Sequence, residues 1–120
     1  MKHNILVVDD SYYMRTILKN ILEDNGFKVV AEAANGTSAI KNSTDHMPDL
    51  ITLDLILPDN TGLDVLKAIK RDRPEVKVVI VSAVGQEKIV KEAMALGAEA
   101  YVVKPFVEEK VIEIIKSILN

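Results

Sequence analysis

The sequence predicts an α/β protein of the doubly wound kind: a five-stranded parallel sheet with helices on both faces. Three observations carry this. Short apolar runs rich in β-branched residues recur about five times at even spacing along 120 residues. Between them, apolar residues repeat at intervals of three and four, the period of a helix with one buried face. Connections are short, with no linker, low-complexity segment or sequence repeat beyond that rhythm. Alternation of this kind implies parallel strands joined by helical, right-handed crossovers. Of the two common doubly wound strand orders, five strands suit 2-1-3-4-5.

Each element has a local reason. Asn4-Ile5-Leu6-Val7-Val8 suits a strand buried on both faces. Ser11 stands where a helix N-cap belongs, and Met14, Ile17, Leu18, Ile21 and Leu22 form one apolar face. Gly26 is placed to end that helix. Phe27 to Ala31 reads as the second strand, and Asn35-Gly36 as a turn. Residues 37–46 are the weakest helix, because Ser, Thr and Asn compete for backbone hydrogen bonds. Met47-Pro48 closes it. The third strand runs from Leu50 to Leu53 with Asp54 at its end, and Pro58 to Thr61 is a turn. Leu63, Leu66 and Ile69 give the next helical face, which Pro74 terminates. Val76 to Val81 is the fourth strand; Gly85 opens a helix carrying Ile89, Val90, Ala93, Met94 and Leu96 that ends at Gly97. Ala100 to Val103 is the fifth strand. The last helix starts near Val107 and turns Val111, Ile114, Ile115 and Ile118 inward, with Ile112 and Leu119 placed at the core edge in preference to a partner patch.

Composition bounds the function. The length suits one domain, residues 1–120, and 48% hydrophobic residues suffice for one core. A net charge of −3 gives no reason to expect nucleic acid or an anionic membrane as partner. The absence of cysteine excludes disulfides, thiolate chemistry and cysteine-ligated zinc. The N-terminus does not read as a signal peptide, and no apolar run approaches the roughly 20 residues of a membrane span. A cytoplasmic protein is expected.

The chemistry lies at the strand ends. The first strand runs into Asp9-Asp10, the third into Asp54, the fourth into Ser82 and the fifth into Lys104-Pro105. In open parallel sheets, ligands bind beyond the carboxyl ends of the strands where strand order reverses, here between strands 1 and 3. Two carboxylates about 4 Å apart repel by roughly 4 kcal/mol at an effective dielectric of 20. Three together need a counter-cation or protonation. Lys104 supplies one charge and a hard divalent cation the rest; oxygen-only ligands favour magnesium or calcium over zinc. A phosphoryl group on Asp54 could be met by magnesium, the Lys104 ammonium and the Ser82 hydroxyl. A carboxylate nucleophile forming an aspartyl phosphate is established chemistry. The donor must be an activated phosphate, because neither GxxxxGK[ST] nor GxGxxG occurs.

VVDDS at the first strand, LDLILP around Asp54, VSA at Ser82 and VKPF at Lys104, in this order and spacing, resemble a response-regulator receiver domain with a flavodoxin-like (β/α)5 fold. DDSYYMR and SAVGQ lean towards the single-domain chemotaxis branch, the CheY type. Chemotaxis receivers are themselves a standard instance of the 2-1-3-4-5 order, so that order is not independent support. The resemblance implies a phosphorylation-switched signalling protein of a two-component system that is no enzyme beyond assisting its own phosphorylation and dephosphorylation. By it, Asp54 accepts phosphate from a phosphohistidine of a sensor histidine kinase. Asp10, Asp54 and the Ile56 backbone carbonyl bind Mg2+, with Asp9 acting partly through water. Lys104 bridges to the phosphate, Ser82 turns inward, and Tyr101 follows. Lys104-Pro105 is cis. The surface from helix 4 through strand 5 to helix 5 is read by a motility-apparatus switch or an adaptor, and a phosphatase is a further partner. A monomer is expected. Ile56 and Val84, both aliphatic, occupy the family positions flanking water's access to the phosphate, which implies slow self-dephosphorylation. Thr61 departs from the family's usual Asp or Asn before Gly62, with a local turn change expected.

Singly, each motif has a plainer reading. Asp9-Asp10 would also complement a helix macrodipole, Asp54 a turn, Ser82 a helix N-cap, Lys104 a solvated surface. Tyr101 alone suits partly buried packing; one of Tyr12 and Tyr13 is expected at the surface. His3 and His46 lack a partner motif and suit surface or strand-start positions. Three other functions compete for the same residues. A magnesium phosphatase with an aspartate nucleophile would carry an acid two positions on, where Ile56 stands. In a flavin carrier, Asp9-Asp10 would repel the phosphate. A receiver detached from a longer DNA-binding regulator is not decided by the Met1 start or by an end directly after the last helix.

Overall fold

The computed structural model describes residues 2–120; the Met1 start lies outside them. Five strands and five helices alternate: β1 (Asn4–Val8), α1 (Tyr12–Asp24), β2 (Lys28–Ala33), α2 (Gly36–His46), β3 (Leu50–Leu53), α3 (Gly62–Asp72), β4 (Lys77–Ser82), α4 (Glu87–Ala95), β5 (Ala100–Val103) and α5 (Glu108–Leu119). The sheet is parallel throughout, in the order β2-β1-β3-β4-β5, as the sequence predicts.

The near-continuous apolar runs follow from burial on both faces. Alternate side chains go to opposite sides of the sheet. Leu6, Val8, Ile51, Leu53, Val78 and Ile80 pack with Ala39 of α2, Val65, Leu66 and Ile69 of α3, and Ala93 of α4. Ile5, Val7, Leu50, Val79, Val81 and Val102 pack with Leu18, Ile21 and Leu22 of α1 and Val111, Ile112 and Ile115 of α5. The register aligns the ends that matter: Val8 lies opposite Leu53, Leu53 opposite Ile80, and Ser82 opposite Val103. The residues that follow β1 and β3 therefore leave the sheet on one rim.

Several boundaries differ from the sequence reading, each for a physical reason. β2 runs to Ala33, because Ala33 pairs with Val8 and its carbonyl accepts from the Asp9 N–H at 3.0 Å. Phe27 precedes the strand and is buried in the core. Asn35-Gly36 is a helix start: the Asn35 side chain accepts from the Ser38 N–H and Gly36 is the first residue of α2. Met47 closes α2 in the left-handed region, at φ 46°. Ser82 is the last residue of β4, and the residue preceding α4 is Gln86. On α5, Ile112 is buried while Ile114 and Ile118 are half-buried. Leu119 packs against the edge of that core. Tyr12 and Tyr13 are both exposed, at 74% and 73%, while the buried residues of α1 are Leu18, Ile21 and Leu22, in its later turns.

Candidate functional site

Asp54 follows β3, and its N–H still donates to the Val8 carbonyl at 3.0 Å. This last ladder bond holds its side chain at the rim between β1 and β3. The carboxylate is buried, so it must be compensated. Oδ1 accepts from the Ser82 hydroxyl at 2.8 Å and from the Ile56 N–H at 3.0 Å. Oδ2 accepts from Lys104 Nζ at 2.9 Å. Asp9, buried beside it, accepts from the Ser11 N–H at 2.9 Å and from Lys104 Nζ at 2.6 Å. One ammonium thus bridges acids from two strands. Lys104 is held there by its own backbone, whose N–H donates to the Ser82 carbonyl at 2.9 Å. The Lys104–Pro105 peptide is cis.

Burial pushes the Asp9 carboxyl above its ordinary value; the hydrogen bond from Lys104 opposes this and the nearby Asp54 charge adds to it. Burial works to lower Lys104, but its hydrogen bonds to Asp9 and Asp54 prevail and hold it above its ordinary value. Tyr101 is raised by burial and by the Asp54 charge.

Carboxylate oxygens of Asp9, Asp10 and Asp54 lie within 4.8 Å of one another. Asp10 is exposed, so the cluster opens to water on that side. Three carboxylates against one ammonium leave negative charge uncompensated, and the donors are all oxygen. That donor set fits a hard, partly hydrated divalent cation of the magnesium kind.

The structure therefore brings Asp9, Asp10, Asp54, Ser82 and Lys104 to one place. Ile56 is exposed beside it. Val84 is half-buried, and its N–H donates to the Ser82 hydroxyl oxygen at 3.3 Å. The Tyr101 hydroxyl donates to the Val84 carbonyl, not to Ser82. Thr61 caps α3, accepting from the Asp64 N–H at 3.2 Å. His3 lies against the Phe27 ring, 6.5 Å between centroids, and His46 is exposed at the end of α2; neither belongs to the acid cluster.

Sequence reasoning missed three neighbours of the site. Arg15 donates to the Asp9 carbonyl at 2.7 Å and pairs with Glu32 at 3.1 Å, tying α1 and β2 to the first-strand acids. Its place one turn after the Ser11 cap was the available signal. Gly62 approaches so closely that a Cβ there would stand 2.2 Å from the Leu55 Cα. Asp59 reaches from the β3–α3 loop to α2, a contact with no local signature.

Comparison with known proteins agrees with this geometry. The family described as "Response regulator receiver domain" matches residues 5–116. The chemotaxis protein CheY of Bacillus subtilis is 43% identical over 120 residues, spanning 100% of both chains. That of Listeria monocytogenes is 44% identical over 109 residues, 91% of this chain and 92% of the relative. Among solved structures, the CheX-CheY-BeF3-Mg+2 complex from Borrelia burgdorferi superposes with a TM-score of 0.95 at 32% identity, covering 98% of this chain and 90% of that one. Since fold, acid pocket and full-length similarity agree, the chain belongs to the response regulator receiver domain family, as a two-component signalling protein of the CheY type.

Proposed function

We propose that the protein, as one receiver domain over residues 1–120, takes a phosphoryl group onto Asp54 from a phosphohistidine of a chemotaxis-type sensor histidine kinase. The observation that carries this is the buried Asp54 carboxylate held by both Ser82 and Lys104, with two more acids in reach. An Asp54 oxygen forms the O–P bond as the donor's P–N bond breaks. The departing imidazole nitrogen keeps the electron pair and takes a proton from solvent. Lys104 already stands at an Asp54 oxygen and offsets charge there. Asp9, Asp10, Asp54 and the Ile56 carbonyl would hold Mg2+, which supplies neutralisation of the phosphoryl oxygens. The protein assists its own phosphorylation and dephosphorylation and turns over no separate substrate.

A hydrogen-bond relay supports the switch. Asp54 holds the Ser82 hydroxyl, Ser82 accepts from Val84, and Val84 accepts from Tyr101. A phosphate that captures Ser82 removes the first of these bonds and frees the rest to shift. Tyr101 also lines a groove of about 550 Å3 with Val103, Phe106, Val107, Lys110 and Ile114; it covers the β5 and α5 part of the α4–β5–α5 surface that a motility switch or adaptor would read. Phosphate can bias that surface only through differential affinity for its two arrangements. No helix among the described residues is long and apolar enough to cross a membrane.

Phosphoramidate, a small donor with a P–N bond, tests the reading. With Mg2+ it should label the protein, the label should be lost in EDTA, and hydroxylamine should release it as expected of an acyl phosphate. A label that survives hydroxylamine would overturn the assignment.

A further inference from the structure

Resting on that phosphoacceptor reading, we infer that Asp59 is a positioning residue: it fastens the β3–α3 loop, which carries the Ile56 carbonyl, to the N-terminus of α2, and so fixes the geometry of the metal-binding pocket. Asp59 Oδ1 accepts from the Gly36 N–H at 2.7 Å. Its Oδ2 accepts from the Thr37 N–H at 3.0 Å and the Thr37 hydroxyl at 2.8 Å. These bonds leave the loop for another element. α3 does not need them for its own start, since Thr61 caps it.

The first turn of α2 accounts for every donor. The N–H groups of Gly36 and Thr37 go to Asp59, that of Ser38 to the Asn35 side chain at 2.8 Å, and that of Ala39 to the Asn35 carbonyl at 3.0 Å. A carboxylate also suits the positive end of the helix dipole, and the Gly36 and Thr37 amides hold Asp59 below the usual carboxylate range. The approach is close. A Cβ at Gly36 would stand 2.7 Å from Val65 Cγ2 of α3 and 3.0 Å from Asn60 Nδ2 of the loop, so the start of α2 packs directly on those side chains with no room for one of its own.

At its other end the loop is closed on the site. The Ile56 N–H donates to Asp54 Oδ1 at 3.0 Å, the Gly62 N–H to the Leu55 carbonyl at 2.9 Å, and Ile56 bridges to Thr61. A displacement at Asp59 is therefore passed to Ile56 and Asp54. Partners behind a metal's direct ligands typically contribute 10- to 100-fold in affinity by orienting them.

Helix capping and loop positioning can be separated, because Asn35→Ala removes α2's own cap without touching the loop. Wild type, Asp59→Ala and Asn35→Ala are compared by thermal melt, by Mg2+ affinity from calorimetry, and by hydrogen exchange of amides 55–61 without metal. Both variants should melt lower. Only Asp59→Ala should weaken Mg2+ binding, by about tenfold, and speed exchange in the loop. Asp59→Asn, with one acceptor oxygen left, should fall between, and it carries the comparison if Asp59→Ala does not fold. Wild-type Mg2+ affinity and loop exchange in the Asp59 variants would overturn the inference, as would an equal loss of affinity in Asn35→Ala. A wild type that binds no Mg2+ would overturn the phosphoacceptor reading itself, and this inference with it.

Discussion

Lys104 donates to Asp9 and Asp54 at once, at 2.6 and 2.9 Å, and so decides what two buried acids can do. Without it they would face each other uncompensated in a poorly solvated site, a situation that costs several kcal/mol or forces protonation. Their identity was readable, because each sits directly after an apolar run whose end is a sheet rim. Their hydrogen-bond partners were not, since those depend on side-chain directions from four separate strand ends. Ile56 and Val84 belong to the same scale. Neither side chain can accept a proton or orient a water against the acceptor. Ile56→Asn combined with Val84→Glu should therefore shorten the half-life of the phosphorylated form by roughly 100-fold, the lower end of what a positioned proton acceptor contributes. Decay of a preformed phosphoprotein checks this, and an unchanged half-life would count against the tuning role.

At the scale of elements, the β3–α3 loop is held more tightly than its sequence suggests. Pro58 to Thr61 reads as an ordinary turn, yet Gly62 packs on Leu55 backbone atoms and Asp59 reaches 23 positions back to Gly36. Gly62→Ala would drive a Cβ into that backbone, where no flexible side chain can yield. It should destabilise the fold by about 2–4 kcal/mol, measurable by urea unfolding. Asp59 gives α2 a pH dependence of definite sign. Its folded-state value lies below the ordinary 3.8, because Gly36 and Thr37 amides donate to it. Its stabilisation is thus present above pH 3.8 and lost as pH falls through the folded value. The melting-point gap between wild type and Asp59→Ala should stay constant from pH 7 down to about 5 and close in stronger acid. A gap that widened in acid would contradict this. Long-range capping also explains why α2 was the weakest helix in sequence: its Ser, Thr and Asn residues supply little intrinsic preference, and the donor accounting is completed from another part of the chain. The other helices carried their signals locally, in apolar periodicity and in caps such as Ser11.

For the whole molecule, the two-sided burial of the sheet is what makes the pocket possible. Strands covered on both faces are fixed in register, so acids from β1 and β3 and the lysine after β5 meet without a loop having to find them. That level was the most legible in sequence, since the rhythm of apolar runs and helical periods constrains the topology closely. The pocket is also a stability liability. An acid raised by burial is disfavoured in its ionised form, so Asp9 stabilises the fold less as pH rises through its folded value. Mg2+ should offset that. At a hundredfold excess over Kd, binding adds about 2.7 kcal/mol, or roughly 8–12 °C in melting temperature for a domain of this size. Asp9→Asn should raise the metal-free melting temperature and lose much of the Mg2+ response; a fall in the metal-free value would contradict the electrostatic account.

The most direct test of the central claim, that strand ends converge on Asp54 as the acceptor, is the intact mass of wild type and Asp54→Asn after incubation with acetyl phosphate and Mg2+. One phosphoryl adduct on wild type and none on the variant is the predicted result. An adduct of equal yield on Asp54→Asn, or none on either protein, would contradict it.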